Sequence, residues 1–183
     1  MYGDLTTKYD LTVIKKIFFL ILIMSLFACR ENHGKSNIDS RPGKNEMADL
    51  NRYLIQKDRE RIINYIERKN LHMSESPTGL WYQIIKIGEG KTISDNDKVL
   101  ISYQCTLLDG TKCYSSDNLG PKQIIVGRGE MEPGLNEGLK LLKPGAEAIF
   151  IIPPYLAYGL VGDRKMIPSR AVIVYIVNIL QPE

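Results

Sequence analysis

The sequence predicts an α+β fold, in which an antiparallel sheet of about five strands wraps on one short helix and an extra N-terminal helix precedes the sheet. Five short apolar runs bounded by turn residues indicate the strands. One helical segment lies among these runs, and a charged stretch with an apolar stripe lies before them. The length of 183 residues, with 44% hydrophobic and 25% charged residues, fits one globular domain with an appendage.

Residues 1–28 are predicted to be a lipoprotein signal peptide. Lys15 and Lys16 precede an apolar run of about a dozen residues, which is shorter than the roughly 20 needed to span a bilayer and is typical of a secretory signal. The run ends in "LFAC", which resembles the lipobox at which bacterial lipoproteins are cleaved, so Cys29 is the expected lipidation site. A simple signal peptide with a chance cysteine, or a short uncleaved anchor, are the alternatives.

Two segments follow the predicted cleavage site. Residues 29–45 are polar and rich in Gly, Ser and Asn, which predicts a flexible tether. Residues 46–72 are predicted to form a charged amphipathic helix, because apolar residues recur along it at helical spacing, namely Leu50, Leu54, Ile62 and Ile66. Such a helix either packs on its own domain or serves dimerisation or docking. A homodimer through the helix at 46–70 is therefore one of two expected alternatives.

The remaining residues, 73–183, are predicted to be the folded domain. The strand-like runs are 79–88, 98–108, 122–127, 146–153 and 171–180. "LDG" at 108–110 predicts the turn of a hairpin. The helix is predicted within 131–145, where Pro133 suits a first helical turn and Gly145 follows the end.

Composition and motifs exclude several classes of function. The net charge of +3 is dispersed among residues of both signs, so no nucleic-acid partner is expected. His33 and His72 are the two histidines, one in the tether and one in a linker, which argues against a histidine-based site. The sequence contains no "HExxH", "GxSxG", "GxxxxGK" or "CxxC". We therefore expect no metal and no cofactor, and an enzyme of this sequence would need neither a nucleophile nor an acid–base pair.

Three motifs follow one another within a stretch from about Gly79 to Leu180: "ISYQCTLLDGTKCYSS", "GLNEGLKLLKPGAEAIFIIP" and "AYG…IPSRAVIVYIVNIL". In order and spacing they resemble the FKBP-type peptidyl-prolyl cis-trans isomerases. The resemblance implies an FKBP-like fold and isomerase activity. Together with the lipobox, tether and charged helix, the arrangement resembles the gliding-motility-associated lipoprotein branch of that family.

The resemblance also implies the site, an apolar cleft with aromatic walls. It implies catalytic roles for Tyr158, Tyr103 and Tyr175. It implies substrate-binding roles for a larger set, Met131, Glu132, Leu135, Met166, Ile167, Cys113 and Tyr114. Departures from the family pattern fall on Cys113, Tyr114, Leu135 and Lys122, which replace an aromatic residue, a carboxylate, the tryptophan of the floor and an apolar wall residue. We therefore expect slower catalysis, and we expect Leu135→Trp with Tyr114→Asp to raise activity.

The expected function is isomerisation of X-Pro bonds in exported or envelope proteins, with components of gliding motility or secretion machinery as candidate clients. The expected partners are proline-containing segments of envelope proteins and, through the lipid anchor, a membrane, so the chain would lie in the cell envelope facing the periplasm. The alternative is a non-catalytic module that binds proline-containing peptides or acts as a chaperone.

The spacing of the two domain cysteines leaves a disulfide open. If "LDG" forms a three-residue loop, Cys105 lies opposite Cys113, and a bond is feasible in an oxidising compartment. If the turn has two residues, the register shifts and the two side chains lie on opposite faces.

Overall fold

One antiparallel sheet organises the part of the chain that the computed structural model describes, residues 15–16 and 43–180. Its strands are β1 (Ser74–Glu75), β2 (Trp81–Lys86), β3 (Lys98–Leu107), β4 (Lys112–Ser115), β5 (Lys122–Ile125), β6 (Glu147–Ile152) and β7 (Ile173–Leu180). The helices are α1 (Lys44–Lys69), α2 (Ser116–Leu119) and α3 (Pro133–Leu139), with a 3-10 turn at Pro154–Leu156. None of the described helices is both long and apolar enough to cross a membrane.

The strand order is β1-β2-β6-β7-β3-β4, and β5 also pairs with β3. The edge of β3 is therefore shared: residues 98–101 pair with β5, and residues 104–106 pair with β4. The five predicted strands and the hairpin are confirmed. The structure contains two strands beyond these five, β1 and the second arm of the hairpin, β4. Seven strands are therefore present in the described residues. The predicted signal peptide, apart from Lys15 and Lys16, lies outside those residues, as do Cys29 and nearly all of the tether.

The two faces of the sheet bury different clusters because side chains alternate along a strand. On the inner face, Ala148 and Phe150 of β6 and Tyr175 and Val177 of β7 join the main core. On the outer face, apolar residues of the strands pack with the helix α1, namely Ile151, Val174, Trp81 and Ile149.

Two glycines let α3 lie close to β6 on the inner face. A Cβ at Gly138 would be 2.7 Å from the Phe150 ring, and a Cβ at Gly134 would be 2.4 Å from Cγ2 of Ile152. The glycines of the "GLNEG" motif thus permit the close approach of helix and sheet. The helix ends at Leu139, earlier than expected, and Pro133 is its first residue. Residues 129–132 lie just before this helix, so its placement positions them as well.

The helix α1 packs on the domain through its second half. Ile62 is 1% exposed within the outer-face cluster, and the Asp58 carboxylate accepts a hydrogen bond of 2.7 Å from Arg170. In the first half, large apolar side chains are exposed, namely Met47, Leu50, Tyr53 and Ile55. The predicted stripe is therefore divided, since Ile62 is buried whereas Leu50 faces solvent. The helix spans residues 44–69, where 46–72 was predicted.

The hairpin of β3 and β4 has the three-residue loop, but its cysteines do not face each other. The backbone N–H of Leu107 donates to Thr111 O at 2.9 Å, which encloses Leu108, Asp109 and Gly110 in the loop. The register then shifts, because Thr106 pairs with Lys112 and Cys105 pairs with Tyr114. Cys113 is the extra residue of this bulge. Cys105 and Cys113 are both free thiols, and the hypothesis that they form a disulfide is wrong for this structure.

Candidate active site

A cleft of about 580 Å³ opens between the inner face of the sheet, the segment before α3 and the loop after β6. Residues from seven parts of the chain line it: Tyr103, Tyr114, Leu119, Lys122, Gly129, Glu130, Met131, Glu132, Pro133, Ala157, Tyr158, Asp163, Lys165 and Tyr175. Four tyrosines share the lining with carboxyl and ammonium groups, so the cleft is more polar than the apolar cleft expected from the sequence.

Tyr103 lies at the gap between the two partners of β3. The hydroxyl of Ser116 accepts from the Tyr103 backbone N–H at 3.0 Å and donates to the Tyr103 carbonyl at 3.2 Å. Ser115 caps α2 by accepting from the backbone N–H of Asp117 at 3.0 Å. The double serine thus replaces the missing strand partner and holds Tyr103 in place. The Tyr103 ring lies 6.1 Å from the Tyr175 ring, between centroids.

A buried carboxyl group lies among the tyrosines. Glu132 is 7% exposed, and its Oε1 accepts a hydrogen bond of 3.0 Å from the Tyr175 hydroxyl. Its Oε2 is buried and has no hydrogen-bond partner. Burial, followed by the Glu132 carboxyl, raises the pKa of both Tyr158 and Tyr175 far above the ordinary value. Burial also raises the pKa of Tyr103. All three hydroxyls therefore keep their protons at neutral pH and can donate hydrogen bonds.

Asp163 joins the hairpin to the loop that follows β6. Its carboxylate accepts a hydrogen bond from the Tyr114 hydroxyl. It also accepts from two backbone N–H groups, those of Lys165 and Ile167, both at 2.8 Å. Burial opposes ionisation of Asp163, but these hydrogen bonds outweigh it and lower its pKa. The bond to Asp163 raises the pKa of Tyr114 to about 12. The Tyr114–Asp163 pair thus fixes one rim of the cleft.

The loop itself begins with two prolines and is rigid at its start. Pro153 and Pro154 are buried, and the chain turns once through the 3-10 segment. The backbone N–H of Gly159 then donates to Pro154 O at 2.8 Å, and that of Arg170 donates to Gly159 O at 3.0 Å. Tyr158 directly precedes Gly159, which takes part in both hydrogen bonds, so the backbone next to Tyr158 is fixed at the cleft.

The structure brings together only some of the residues expected at the site. The cleft is lined by Tyr103, Tyr114, Met131, Glu132, Tyr158 and Tyr175, and by Lys122. Leu135, expected at the floor, has 0% exposure because α3 turns it into the core, and Ile167 is 2% exposed in the same core. Met166 is 49% exposed, and neither it nor Cys113 lines the cleft. The Cys113 thiol instead lies 3.7 Å from the Met166 carbonyl oxygen, against which it packs.

Several lining residues were not expected from the sequence, namely Leu119, Gly129, Glu130, Pro133, Ala157, Asp163 and Lys165. Asp163 is the most informative, because it supplies a carboxylate at the rim where the hairpin has Tyr114. Its one signal in the sequence is its position after Gly162 in the "GDRKM" segment, since aspartate favours turns through hydrogen bonds to nearby backbone N–H groups.

The arrangement offers hydrogen-bond donors rather than a nucleophile. Burial raises the pKa of the Cys105 thiol to about 12, so this thiol stays protonated. Among the described residues, no group of three or more His, Cys, Asp or Glu side chains is placed to hold a metal ion. The described residues of the cleft therefore suit recognition of a peptide carbonyl and an adjoining ring.

Comparisons with curated proteins find relatives that share this domain. The chain is 37% identical over 112 residues to the FKBP-type peptidyl-prolyl cis-trans isomerase FkpA of Escherichia coli strain K12, covering 61% of this chain and 41% of that protein. It is 28% identical over 143 residues to the peptidyl-prolyl cis-trans isomerase Mip of Chlamydia pneumoniae, covering 74% of this chain and 54% of that protein. The chain thus spans about two fifths to one half of the length of these relatives.

Solved structures show the same fold. The crystal structure of FkpA from Escherichia coli matches with a TM-score of 0.61 at 24% identity, covering 96% of this chain and 74% of that one. The crystal structure of AtFKBP13 matches with a TM-score of 0.57 at 26% identity, covering 61% and 99%. The sequence model of the family described as FKBP-type peptidyl-prolyl cis-trans isomerase matches residues 89–180, half of the 183 residues. The chain therefore belongs to the FKBP-type peptidyl-prolyl cis-trans isomerase family.

Proposed function

We propose that this chain catalyses cis–trans isomerisation of X-Pro peptide bonds. The observation that carries the proposal is the cleft of Tyr103, Tyr158 and Tyr175 on the fold of this family, in which all three hydroxyls stay protonated. Rotation of an X-Pro bond needs no covalent intermediate. It needs only a site that binds the twisted amide better than the planar one.

The physical chemistry of the reaction fits such a site. Amide resonance opposes rotation with a barrier of about 18 to 20 kcal/mol, and resonance is lost in the twisted state. Aromatic walls that exclude water favour the less dipolar twisted amide. In our proposal the Tyr158 hydroxyl donates to the substrate carbonyl and fixes its orientation, while Tyr103 and Tyr175 flank the proline ring.

Proline-isomer kinetics on a short Leu-Pro peptide test this proposal. We expect catalysis by the wild-type chain, and we expect Tyr158→Phe, which removes one hydroxyl, to lower kcat/KM by about ten-fold, equivalent to about 1.4 kcal/mol. Tyr155→Phe is the matched control, because Tyr155 lies in the same loop but does not line the cleft. Absence of catalysis on every apolar-Pro peptide would refute the proposal.

The second candidate is a module that binds proline-containing segments without isomerising them. The observation that favours it is the polarity of the cleft, in which Glu130, Asp163, Lys122 and Lys165 surround the tyrosines. Peptide binding that Tyr158→Ala abolishes, without any catalysis by the wild-type chain, is the result that this candidate predicts.

We also propose that the chain is a lipid-anchored envelope protein facing the periplasm, whose clients are proline-containing segments of envelope proteins. The support is the signal-like run that ends in "LFAC" and the polar tether after it. Intact mass of protein extracted from membranes tests the anchor: we expect loss of residues 1–28 and a diacylglyceryl group on Cys29. Unchanged membrane fractionation and cleavage of a Cys29→Ser chain would contradict it.

A finer proposal places the chain in the gliding-motility-associated lipoprotein branch, with components of gliding or secretion machinery as clients. It rests on the arrangement of lipobox, tether, charged helix and domain. Deletion of the gene for this chain in a gliding host is expected to impair gliding. Complementation with a gene for the Tyr158→Phe chain would show whether catalysis is needed.

The exposed half of α1 supports a further proposal, that two copies pair through this helix. Its apolar side chains Met47, Leu50 and Tyr53 are each more than two fifths exposed. Sedimentation of the purified chain tests the pairing, which the double substitution Leu50→Glu with Tyr53→Glu is expected to abolish. Arg52→Glu with Lys57→Glu, on the same helix, is the control, and a monomeric wild-type chain would refute the pairing.

A further inference from the structure

A second groove of about 950 Å³ lies between α1 and the tip of the hairpin, on a part of the molecule with no role in the proposed catalysis. One wall is a single face of α1, on which Arg61, Tyr65, Arg68 and Lys69 recur at helical spacing. The other walls are the hairpin turn at 108–110 and the segment 168–172. We call this site the basic groove.

The floor of the basic groove is apolar. Tyr65, Leu108 and Val172 line it, and all three belong to the apolar cluster between α1 and the outer face of the sheet. Val172 is 2% exposed, whereas Tyr65 and Leu108 are half-buried and offer contact surface. A floor of this kind suits the side chains and backbone of an extended peptide.

The rim carries two basic side chains, Arg68 and Lys69, that no carboxylate of the described residues pairs. Arg170 is paired with the buried Asp58 carboxylate at 2.7 Å, and Arg61 lies 3.6 Å from the other oxygen of the same group. Arg68 and Lys69 are exposed, and neither has a carboxylate partner among the residues that the structure describes. Asp109 is the one carboxylate on the described lining, and it accepts from the backbone N–H of Thr111.

The same two segments of chain, the hairpin and the loop after β6, contribute residues to both the cleft and the basic groove. Lys165 lines the cleft and Pro168 lines the groove, so their positions are at most about 10 Å apart along the loop. On the hairpin, Tyr114 lines the cleft and Gly110 lines the groove. A peptide needs at least about three extended residues to span 10 Å, since each residue of an extended chain advances about 3.3 Å.

We propose that the basic groove binds acidic side chains of the client segment, located about three to six residues from the proline. This inference rests on the proposed function, since it extends the substrate class of the same site. The charge of Arg68 and Lys69 selects acidic over basic flanks, and the apolar floor holds the intervening residues. The groove therefore makes affinity depend on sequence outside the X-Pro bond.

The test compares three fluorescent ten-residue peptides that share an Ala-Leu-Pro-Phe core and carry a glutamate, serine or lysine flank. We expect the glutamate peptide to bind the wild-type chain on the order of ten-fold more tightly than the lysine peptide in low salt, and the difference to shrink in high salt. Arg68→Glu with Lys69→Glu is expected to remove this preference. Lys86→Glu with Lys91→Glu changes the net charge equally, at exposed positions outside the groove, and is expected to keep it.

Two outcomes overturn the inference: equal affinity for the three flanks, or equal loss of preference in the control variant, which would show a general effect of net charge. Thermal unfolding of each variant establishes that it is folded, and the salt dependence of the wild-type chain tests the groove without any variant. The Ala-Leu-Pro-Phe core alone separates the two proposals. If the chain does not isomerise this core but keeps a flank preference that depends on Arg68 and Lys69, the isomerase proposal fails and the groove stands.

Discussion

Glu132 is the residue that most distinguishes this cleft, because a carboxyl group is buried where contacts to a proline ring are proposed. Its Oε1 has the Tyr175 hydroxyl as donor, and its Oε2 has no donor. Burying an acceptor without a partner costs about 1 to 3 kcal/mol. Glu132 and Tyr175 are therefore expected to be energetically coupled.

We predict that Tyr175→Phe destabilises the fold by about 1 to 3 kcal/mol, because it leaves both oxygens of Glu132 without a donor. Glu132→Leu in the same chain removes the orphaned acceptor and is expected to recover most of that loss. Urea unfolding of the two single variants and the double variant measures the coupling. Additive losses would show that the 3.0 Å hydrogen bond does not join the two residues energetically.

Tyr114 changes a prediction made from the sequence. Resemblance to the family favours Tyr114→Asp as a restored carboxylate, but the structure places the Asp163 carboxylate against the Tyr114 hydroxyl. A second carboxylate at this rim would repel the first. We therefore predict that Tyr114→Asp lowers kcat/KM on a Leu-Pro peptide. Tyr114→Phe, which removes the hydrogen bond without adding charge, is expected to have a smaller effect, and higher activity of Tyr114→Asp would contradict the prediction.

The same pair predicts a broad pH range. The folded-state pKa of Asp163 is lowered, so its stabilising effect is present above the unfolded value and is lost as the pH falls through the folded value. The pKa of Tyr114 is raised to about 12, so its effect is present below about pH 10 and is lost as the pH rises towards 12. We expect kcat/KM on an uncharged peptide to be constant from about pH 6 to 9. A titration within that range would show that another group controls the reaction.

At the scale of elements, α3 and β6 are held closer than side chains normally allow. The space between them admits no side chain at position 138, since a Cβ at Gly138 would lie 2.7 Å from two atoms of the Phe150 ring. Because Phe150 has 0% exposure and is packed on all sides, its ring has little room to move.

We predict that Gly138→Ala destabilises the domain by about 1 to 3 kcal/mol, despite the better helix propensity of alanine. Gly90→Ala is a control without a steric contact, because nothing lies within 4 Å of a Cβ there, although its φ of 86° adds backbone strain of its own. Thermal unfolding measures both. Stability of Gly138→Ala equal to wild type would mean that α3 can shift away from the sheet without cost.

At the scale of the whole molecule, α1 belongs to the same compact unit as the sheet, Lys44–Glu183. Three contacts make this connection. They are the Ile62 cluster, the pair of Arg59 with Glu75 at 2.7 Å, and the pair of Asp58 with Arg170, whose guanidinium also donates to the Leu54 carbonyl at 3.4 Å. Arg170 adopts a left-handed φ of 56°, and it lies in the segment that forms both the cleft loop and the basic groove. The helix thus contributes to the region around the proposed site.

We predict that Asp58→Ala destabilises the chain by about 2 to 4 kcal/mol, because it leaves Arg170 partly buried without its partner. Hydrogen exchange should increase in α1 and in residues 159–172 but not in α3. Arg52→Ala is the control, since the ion pair of Arg52 with Asp49 is exposed. Unchanged exchange in α1 would show that the pair of Asp58 with Arg170 does not hold the helix on the domain.

Local patterns determined the elements of this protein, because strand alternation, turn residues and helix-capping residues act within a few positions of the chain. The five strands, the hairpin, Pro133 at the start of α3 and the family resemblance are all visible in the sequence. Contacts between distant residues were decided only by the tertiary structure. The bulge at Cys113, the burial of Leu135 under α3 and the division of the α1 stripe each depend on which elements meet. The Tyr175–Glu132 and Tyr114–Asp163 hydrogen bonds join residues 43 and 49 positions apart, so no local pattern records them.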